Sequence, residues 1–403
     1  MASGMRPTSA GAVGKEAWLR ALDLDERGLL AEAQRRTRLE DFAADQTFHE
    51  ALGCLIRSYE NEAHLNVIGR VTARHRTIHL LMNRLGMVED RALRPEIAYQ
   101  KVRSPVFLTG LPRSGAMLLH ALLAQDPGIR VPLLWQALLP SPPPGPESHA
   151  VDPRIVDVDR QLLWLRRLHP RIRLMSRLGA TLPAECSTIT SHCFASFEFQ
   201  AIHDVPTYQA WLETRDLVSS YTWHRRFLQH LQSRCPGAFW LLVAPAHLFG
   251  LPALFATYPN ARVVFTHRDP ADASESLARL TVALRSVFSD VVDPVAVGRE
   301  VTERWATAMG RACRYRDTGV IPAAQFLDVR LVDLLRDPIG TVRRVYAGLE
   351  VPLTNAAARR IRRFVETIAM DAQRPCGGSA TECGLEAERI RERYRWYRER
   401  FAV

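Results

Sequence analysis

Apolar residues recur at intervals of three and four near the start of the chain, as at Leu19, Leu22, Leu29 and Leu30. This spacing is typical of helices and predicts a helical layer over residues 15–100. Beyond that layer, short apolar runs alternate with helical segments. Such runs favour a parallel sheet that is covered by helices on both faces. The predicted strands are Val106–Thr109, Phe239–Val243, Arg262–Thr266 and Gln325–Val329.

A proline-rich stretch at residues 140–146 interrupts this alternation. Proline fixes φ and lacks a backbone N–H, so the stretch predicts an extended connector. It marks the boundary of a helical insert over residues 147–236, in a position where it could cover an acceptor site. The insert is rich in aromatic side chains, which could line an apolar substrate pocket or simply fill the core. We predict a single α/β domain over residues 15–403, preceded by a disordered leader over residues 1–14.

The positive charge limits the choice of partners. Lys and Arg number 53 against 43 Asp and Glu, for a net charge of +10, which suits an anionic ligand, a nucleic acid or an acidic membrane surface. Arginines and acidic residues interleave over residues 386–400, which predicts a solvated helix face. No nucleic-acid-binding motif accompanies the charge, so we expect no nucleic-acid partner.

The longest apolar runs and the cysteines add two further limits. The runs fall well short of the roughly 20 residues needed to cross a bilayer, so no membrane span is predicted. Seven cysteines are scattered without the spacing of a zinc site, which predicts no metal and reduced thiols. These features favour a cytoplasmic protein, and they do not indicate an oligomeric state.

A short loop between the first strand and the next helix carries the first candidate chemistry. Gly110 and Gly115 frame this loop, and Arg113 supplies a cation. Glycines allow backbone N–H groups to close on an anion, and the helix N-terminus adds a favourable dipole. The same pattern would also fit an ordinary turn with an exposed arginine.

The residues around this loop resemble bacterial sulfotransferases that use the sulfate donor PAPS. The resemblance rests on residues 105–115 and 261–270, with Ser276 eight positions after Arg268, and spans roughly residues 100–350. It implies a P-loop-like sulfotransferase fold in which the first loop holds the donor's 5′-phosphosulfate and the second motif its 3′-phosphate. Arg268 could alternatively pair with Asp269 or Asp272. The residues that map to the 5′-phosphosulfate are Arg113, Ser114 and Gly115, and those that map to the 3′-phosphate are Arg268 and Ser276.

The chain departs from this family at positions that normally carry polar groups. The family usually has two threonines where this chain has Ala116 and Met117, and a lysine and a serine where it has Val243 and Ala244. Loss of one such donor typically lowers a rate by about 10²–10³. The region 374–384, where the family has a basic loop over the donor, is also a poor phosphate clamp.

The positions expected to contact the acceptor match the family better than those expected to contact the donor. His247 stands where the family places a histidine that can act as general base, and Glu185, at the start of a predicted helix over 185–200, matches an acidic position. His247 could instead be a helix-capping or core residue, and Glu185 could merely stabilise a helix N-terminus. Weaker candidates in the insert are His192, Glu198, Tyr221 and His224.

Three functions follow from this pattern. The first is an enzyme without a cofactor that no longer uses PAPS and performs acid–base chemistry, such as cyclisation, elimination or isomerisation, on a hydrophobic small molecule of secondary metabolism. The second is a PAPS-dependent sulfotransferase that acts on an alcohol or phenol. The third is a non-catalytic binding protein on the same fold.

Overall fold

The computed structural model describes residues 22–43, 47–146, 151–168, 179–235, 237, 239–371 and 380–403. The predicted leader over 1–14 lies outside these ranges, as does most of the predicted C-terminal loop. Within them, the strands form one parallel sheet of order β2-β3-β1-β4-β5. The α/β class is therefore confirmed. The strands are β1 (Val106–Gly110), β2 (Ile129–Arg130), β3 (Phe239–Val243), β4 (Arg262–His267) and β5 (Phe326–Arg330).

Strand β2 was not predicted, because two residues are too few to show a pattern. Helices precede β1, as the apolar spacing predicted, and others lie between β1 and β3. The first group is α1 (Glu26–Thr37), α2 (Thr47–Asn61) and α3 (Val67–Leu93). The second group is α4 (Ala116–Leu123), α5 (Leu134–Leu138), α6 (Pro153–Leu168), α7 (Cys186–Thr190), α8 (Glu198–Ile202), α9 (Pro206–Glu213) and α10 (Val218–Gln232).

The second half of the chain completes the layers around the sheet. A 3₁₀ turn, Pro245–Phe249, follows β3 and carries one of the candidate site residues. The helices after it are α11 (Leu251–Thr257), α12 (Pro270–Phe288), α13 (Pro294–Asp317), α14 (Leu331–Arg336), α15 (Pro338–Gly348), α16 (Asn355–Asp371), α17 (Ala387–Arg393) and α18 (Arg395–Phe401).

The sheet is buried on both faces, as its continuous apolar strands require. Side chains alternate along β1, so that Val106 and Leu108 pack with α4, α15 and α16 on one face. Phe107 points to the other face, where the N-terminal helices and those between β1 and β3 form a larger core. The carboxyl ends of the parallel strands meet at one edge, where open α/β sheets bind ligands.

The predicted helix over 185–200 is wrong in its length. Phe194 adopts a left-handed conformation with φ of 56°, which ends the short 3₁₀ turn after α7. The Tyr208 hydroxyl donates to the Phe194 carbonyl at 2.6 Å and accepts from the Ser196 N–H at 3.0 Å. A buried tyrosine therefore satisfies backbone groups that a continuous helix would have paired.

The segment 386–400, predicted as a solvated helix face, is exposed on one side only. The segment forms α17 and α18, and one side of it carries Ile390, Tyr394 and Tyr397, of which both tyrosines are fully buried. The described ranges hold no helix that is long and apolar enough to span a membrane. In the same ranges, no group of three or more His, Cys, Asp and Glu side chains is placed to hold a metal ion.

Candidate anion-binding and acceptor sites

The loop after β1 is held tightly against the end of β4. Gly110 pairs with Thr266 in the sheet, and a Cβ at Gly110 would lie only 2.2 Å from the Thr266 carbonyl oxygen. Arg113 and Gly115 both have left-handed backbones, with φ of 69° and 100°. A non-glycine residue rarely adopts this conformation, and such strain is typical of functional loops. The glycines predicted from the sequence are thus required by the loop's geometry.

Ser114 supports the loop from within. It is fully buried, and its hydroxyl lies 2.6 Å from Thr266 Oγ1. Its backbone N–H already donates to the Leu111 carbonyl at 3.1 Å. Both polar groups are therefore engaged inside the loop, although sequence reasoning had assigned this residue to the anion.

Three of the predicted anion contacts do come together. Arg113 Nε donates to Ser276 Oγ at 2.9 Å, and Arg268 Nη1 donates to the Arg113 carbonyl at 3.1 Å. These residues come from the loop, the end of β4 and helix α12, which the sequence separates by up to 163 positions. Two guanidinium groups and a hydroxyl at one strand edge form a cradle suited to a phosphate or sulfate group. We call Arg113, Arg268 and Ser276 the anion cradle.

The two aspartates after Arg268 have different partners. Asp272 lies 3.6 Å from the Arg268 guanidinium, in a pair that is largely exposed and therefore weak. Asp269 instead caps α12 by accepting from the Ala271 N–H at 2.9 Å, and Arg391 approaches its other oxygen at 3.1 Å. The alternative pairing of Arg268 predicted from sequence is thus seen with Asp272 only.

The positions that depart from the family carry only apolar side chains next to the loop. Ala116 is buried at the start of α4, while Met117 beside it is 40% exposed. Val243 and Ala244 are fully buried at the end of β3, where the Ala244 carbonyl accepts a hydrogen bond from the Thr109 hydroxyl at 3.0 Å. None of these four side chains can donate a hydrogen bond to an anion.

His247 is buried in the 3₁₀ turn after β3, and its ring lies on the same face of the sheet as Phe107. Its Nδ1 lies 2.7 Å from the Tyr221 hydroxyl, and its ring packs edge-on against Phe107. Burial holds the pKa of His247 well below its usual range, so the imidazole is neutral at pH 7. Its Nε2 is buried and has no hydrogen-bond partner among the described residues. Gly250 makes room for this contact, because a Cβ there would lie 2.9 Å from the Tyr221 ring.

A second histidine repeats this arrangement next to the first. His224 Nδ1 lies 2.8 Å from the Tyr258 hydroxyl, and its Nε2 is likewise buried with no partner in the described part of the chain. The rings of His224 and His247 are 6.5 Å apart and perpendicular, and Phe107 packs against both. Burial lowers the pKa of His224 to about 3. We call Tyr221, His224, His247 and Tyr258 the histidine–tyrosine cluster.

Glu185 lies at the N-cap position of α7, yet its side chain makes no capping bond. This side chain is partly exposed, and it forms no hydrogen bond or ion pair with any described residue, although the Glu185 backbone carbonyl accepts from the Thr188 N–H at 3.1 Å. Burial, with a smaller contribution from Glu198, raises the pKa of the Glu185 carboxyl to about 7. The adjacent Cys186 is buried in the larger core, which also holds Tyr221 and Ala244. The alternative role of stabilising a helix N-terminus therefore lacks the contact it would need.

The weaker candidates divide between two roles. Tyr221 and His224 belong to the histidine–tyrosine cluster described above. His192 is fully buried between Asn83, at 3.0 Å, and the Ile189 carbonyl, at 3.1 Å, so both its ring nitrogens are engaged. Glu198 pairs with Arg76 at 2.7 Å. Sequence reasoning missed Arg391 and the tyrosines of α17 and α18, since no motif marks them.

The sheet order, the loop after β1 and the paired motif after β4 define a sulfotransferase fold. The chain belongs to the sulfotransferase family, whose model matches residues 105–355. The crystal structure of sulfotransferase STF1 from Mycobacterium tuberculosis is similar, with a TM-score of 0.81 and 30% identity over 92% of this chain and 98% of that one. Sulfotransferase STF9 from Mycobacterium avium gives a TM-score of 0.83 and 26% identity, over 94% and 97% of the two chains.

A curated relative is more distant in sequence. The omega-hydroxy-beta-dihydromenaquinone-9 sulfotransferase Stf3 from Mycobacterium bovis is 24% identical over 275 residues. The match spans 65% of this chain and 66% of that protein, just under two thirds of its length. Family membership makes this protein a sulfotransferase-fold enzyme and accounts for the predicted fold.

The raised pKa of Glu185 predicts how stability depends on pH. Its folded pKa of about 7 lies above the usual value of 4.5, so the fold favours the protonated carboxyl. This group should therefore lower the free energy of unfolding as pH rises from about 4.5 to about 7, by about 1–3 kcal/mol at this partly exposed site. Glu185→Gln should be more stable than the wild type by that amount at pH 8 and equal to it at pH 4.5, measured by urea denaturation. The exposed control Glu399→Gln should follow the wild type, and an identical pH dependence in all three proteins would contradict the assignment.

Proposed function

We propose that this protein is a sulfotransferase-family enzyme that no longer transfers sulfate from PAPS and performs acid–base chemistry on a hydrophobic small molecule. The observation that carries the proposal is the contrast between the two sides of the site. The anion cradle keeps its cations, but the positions beside it that should stabilise the transferring sulfuryl group are apolar. On the acceptor side, Glu185 and His247 remain.

The chain's own residues fit the phosphate groups of PAPS but not the sulfuryl group that would be transferred. Arg113, Arg268 and Ser276 suit the phosphate groups, which makes binding of the desulfated product, adenosine 3′,5′-bisphosphate, an expected property. Sulfuryl transfer resembles phosphoryl transfer in requiring cations and donors aimed at the peripheral oxygens. Ala116, Met117, Val243 and Ala244 offer none. Cooperative loss of several such donors lowers a rate far more than the loss of one.

Glu185 is the residue best suited to move a proton. A carboxyl group with a pKa of about 7 is divided between its acid and base forms at neutral pH, which is the condition for efficient general acid–base catalysis. Part of its surface reaches solvent, whereas His247 is buried. The neutral His247 imidazole is held in orientation by Tyr221 and presents an unpartnered Nε2 to a hydroxyl or carbonyl oxygen. We assign Glu185 the proton transfer and His247 the polar contact.

The substrate class follows from the surroundings of these two residues. The cluster is enclosed by aromatic and aliphatic side chains of the larger core, which favours an apolar ligand with few polar groups. Stf3 is named for a menaquinone-type substrate, which is also largely apolar. Polyketides, terpenoids and lipid-like alcohols are the compounds to examine first.

The proposal is tested by incubating the purified protein with such a panel in the absence of PAPS and analysing the products by mass spectrometry. We expect a product that is an isomer of its substrate or has lost water. Glu185→Gln should lower the rate by about 10²–10⁴, and Glu399→Gln should leave it unchanged. Conversion that requires PAPS and adds a sulfate group would overturn the proposal, as would binding of the panel without any conversion, which would favour a non-catalytic role.

A PAPS-dependent sulfotransferase is the second candidate, favoured by the convergence of Arg113, Arg268 and Ser276. It requires that these residues and the loop backbone suffice for transfer. In that case, Arg268→Ala should abolish sulfate transfer to an alcohol or phenol.

A further inference from the structure

The C-terminal helices α17 and α18 contact the motif His267–Asp269, which contains Arg268. Tyr397, on α18, is fully buried, and its hydroxyl lies 3.1 Å from His267 Nδ1. His267 directly precedes Arg268. One side chain near the C-terminal end therefore contacts the residue next to Arg268, 130 positions earlier in the chain.

The ring of His267 is fixed on every side. Its Nε2 lies 2.9 Å from Asp328, which is itself held by two bonds of 2.8 Å from the Arg316 guanidinium. Phe401 stacks on the imidazole at 3.8 Å with the planes only 16° apart. Because both ring nitrogens are bonded and one face is covered, His267 gives Tyr397 a rigid support rather than a mobile partner.

The next residues of the motif are held by the same helices. Arg391, on α17, contacts Asp269 at 3.1 Å, and Arg398, on α18, lies 3.9 Å from the same carboxylate. Asp269 also caps α12, the helix that carries Ser276. The C-terminal helices thus contact His267, which directly precedes Arg268, and Asp269, which caps the helix that carries Ser276.

We propose that Tyr397 is a positioning residue of the anion cradle, which acts from α18 by fixing His267, the residue directly before Arg268. The inference rests on the proposed anion-binding role of Arg268. Arg268 must reach the Arg113 carbonyl at 3.1 Å while leaving Ser276 within reach of Arg113, so a small shift of its backbone would separate the three members. Arg391 acts in the same way through Asp269.

The test measures binding of adenosine 3′,5′-bisphosphate to the full-length protein by calorimetry. Tyr397→Phe keeps the packed ring and removes only the hydroxyl, and we expect about tenfold weaker binding from the loss of its hydrogen bond to His267. Tyr394→Phe is the matched control. Tyr394 is equally buried and loses a comparable bond, but its hydroxyl donates to the Thr302 carbonyl at 3.2 Å and not to the motif at residues 267–269. Its affinity should stay within about twofold of the wild type.

A second pair of variants covers the case in which Tyr397→Phe does not fold. Arg391→Gln removes the contact to Asp269. Arg393 lies on the same helix, α17, and Arg393→Gln removes only its exposed pair with Glu303 on α13. We expect weaker binding for the first only, with similar thermal midpoints for both.

The inference fails if each variant and its control lose affinity equally, or if the wild-type protein does not bind the bisphosphate. Equal losses in a variant and its control would leave the proposed loss of sulfate transfer untouched, because transfer is measured separately with PAPS and an acceptor. A wild-type protein that does not bind the bisphosphate would contradict the expected anion binding, but not the absence of sulfate transfer.

Discussion

Replacing Ala116 and Met117 by threonine is expected to raise the affinity for adenosine 3′,5′-bisphosphate by about 100-fold. Both positions lie in the first turn of α4, directly after the loop that ends at Gly115. Two hydroxyls at this helix N-terminus would supply hydrogen bonds to a charged phosphate, each worth roughly 1.5–3 kcal/mol. We take the lower end of this range, because Ala116 is buried and a threonine there must displace neighbouring atoms. Calorimetry on the double variant measures the effect.

A matched control lies at the other end of the same helix. Ala124 and Gln125 follow the last turn of α4, away from the loop, and the same pair of substitutions there should leave affinity unchanged. An equal gain in both double variants would show that the threonines act on stability or on the free protein. No gain at positions 116 and 117 would mean that the loop does not face the ligand's phosphates.

Gly110→Ala is expected to lower the free energy of unfolding by about 2–6 kcal/mol. Gly110 has a φ of 150°, and a Cβ would lie 2.2 Å from the Thr266 carbonyl, 2.7 Å from its hydroxyl and 2.9 Å from the Ser114 hydroxyl. Backbone strain of about 1–3 kcal/mol adds to the cost of overpacking, also about 1–3 kcal/mol or more. Since β1 is the central strand, relief of the clash would have to move β4 and the anion cradle with it. Urea denaturation and binding of the bisphosphate should both report the change.

Gly319→Ala separates the clash from the conformational cost. Gly319 also has a positive φ, 69°, but a Cβ there would meet nothing within 4 Å. Its substitution should cost only about 1–2 kcal/mol and leave bisphosphate binding intact. Equal destabilisation of the two variants would rule out the close approach of Gly110 to β4 as the cause.

The elements that could be predicted are those determined by residues close together in the sequence. The strands other than β2 and the loop around Arg113 show in short apolar runs and in glycine spacing, so they could be placed within a residue or two. The break at Phe194 could not, because it depends on the hydroxyl of Tyr208, which is 14 positions away and pairs with backbone groups. A helical pattern alone predicts a continuous helix there.

The site was predictable in its motifs and not in its contacts. The resemblance to the family pointed to Arg268 and Ser276 as well as to His247 and Glu185. The environment of these residues depends on long-range packing: Tyr221 meets His247 because Gly250 is small, and Tyr397 reaches His267 across about 130 positions. Likewise, Ser114 appears in the motif as an anion contact, yet the fold turns its hydroxyl towards Thr266.

The contrast between a retained cradle and apolar neighbours leads to one direct measurement. The purified protein is incubated with radiolabelled PAPS and a panel of hydrophobic alcohols and phenols, while binding of the bisphosphate is measured on the same preparation. We predict that the bisphosphate binds and that no acceptor gains sulfate above the level of heat-denatured protein. Acceptor-dependent sulfate incorporation that Arg268→Ala abolishes would contradict the account and identify the protein as a working sulfotransferase.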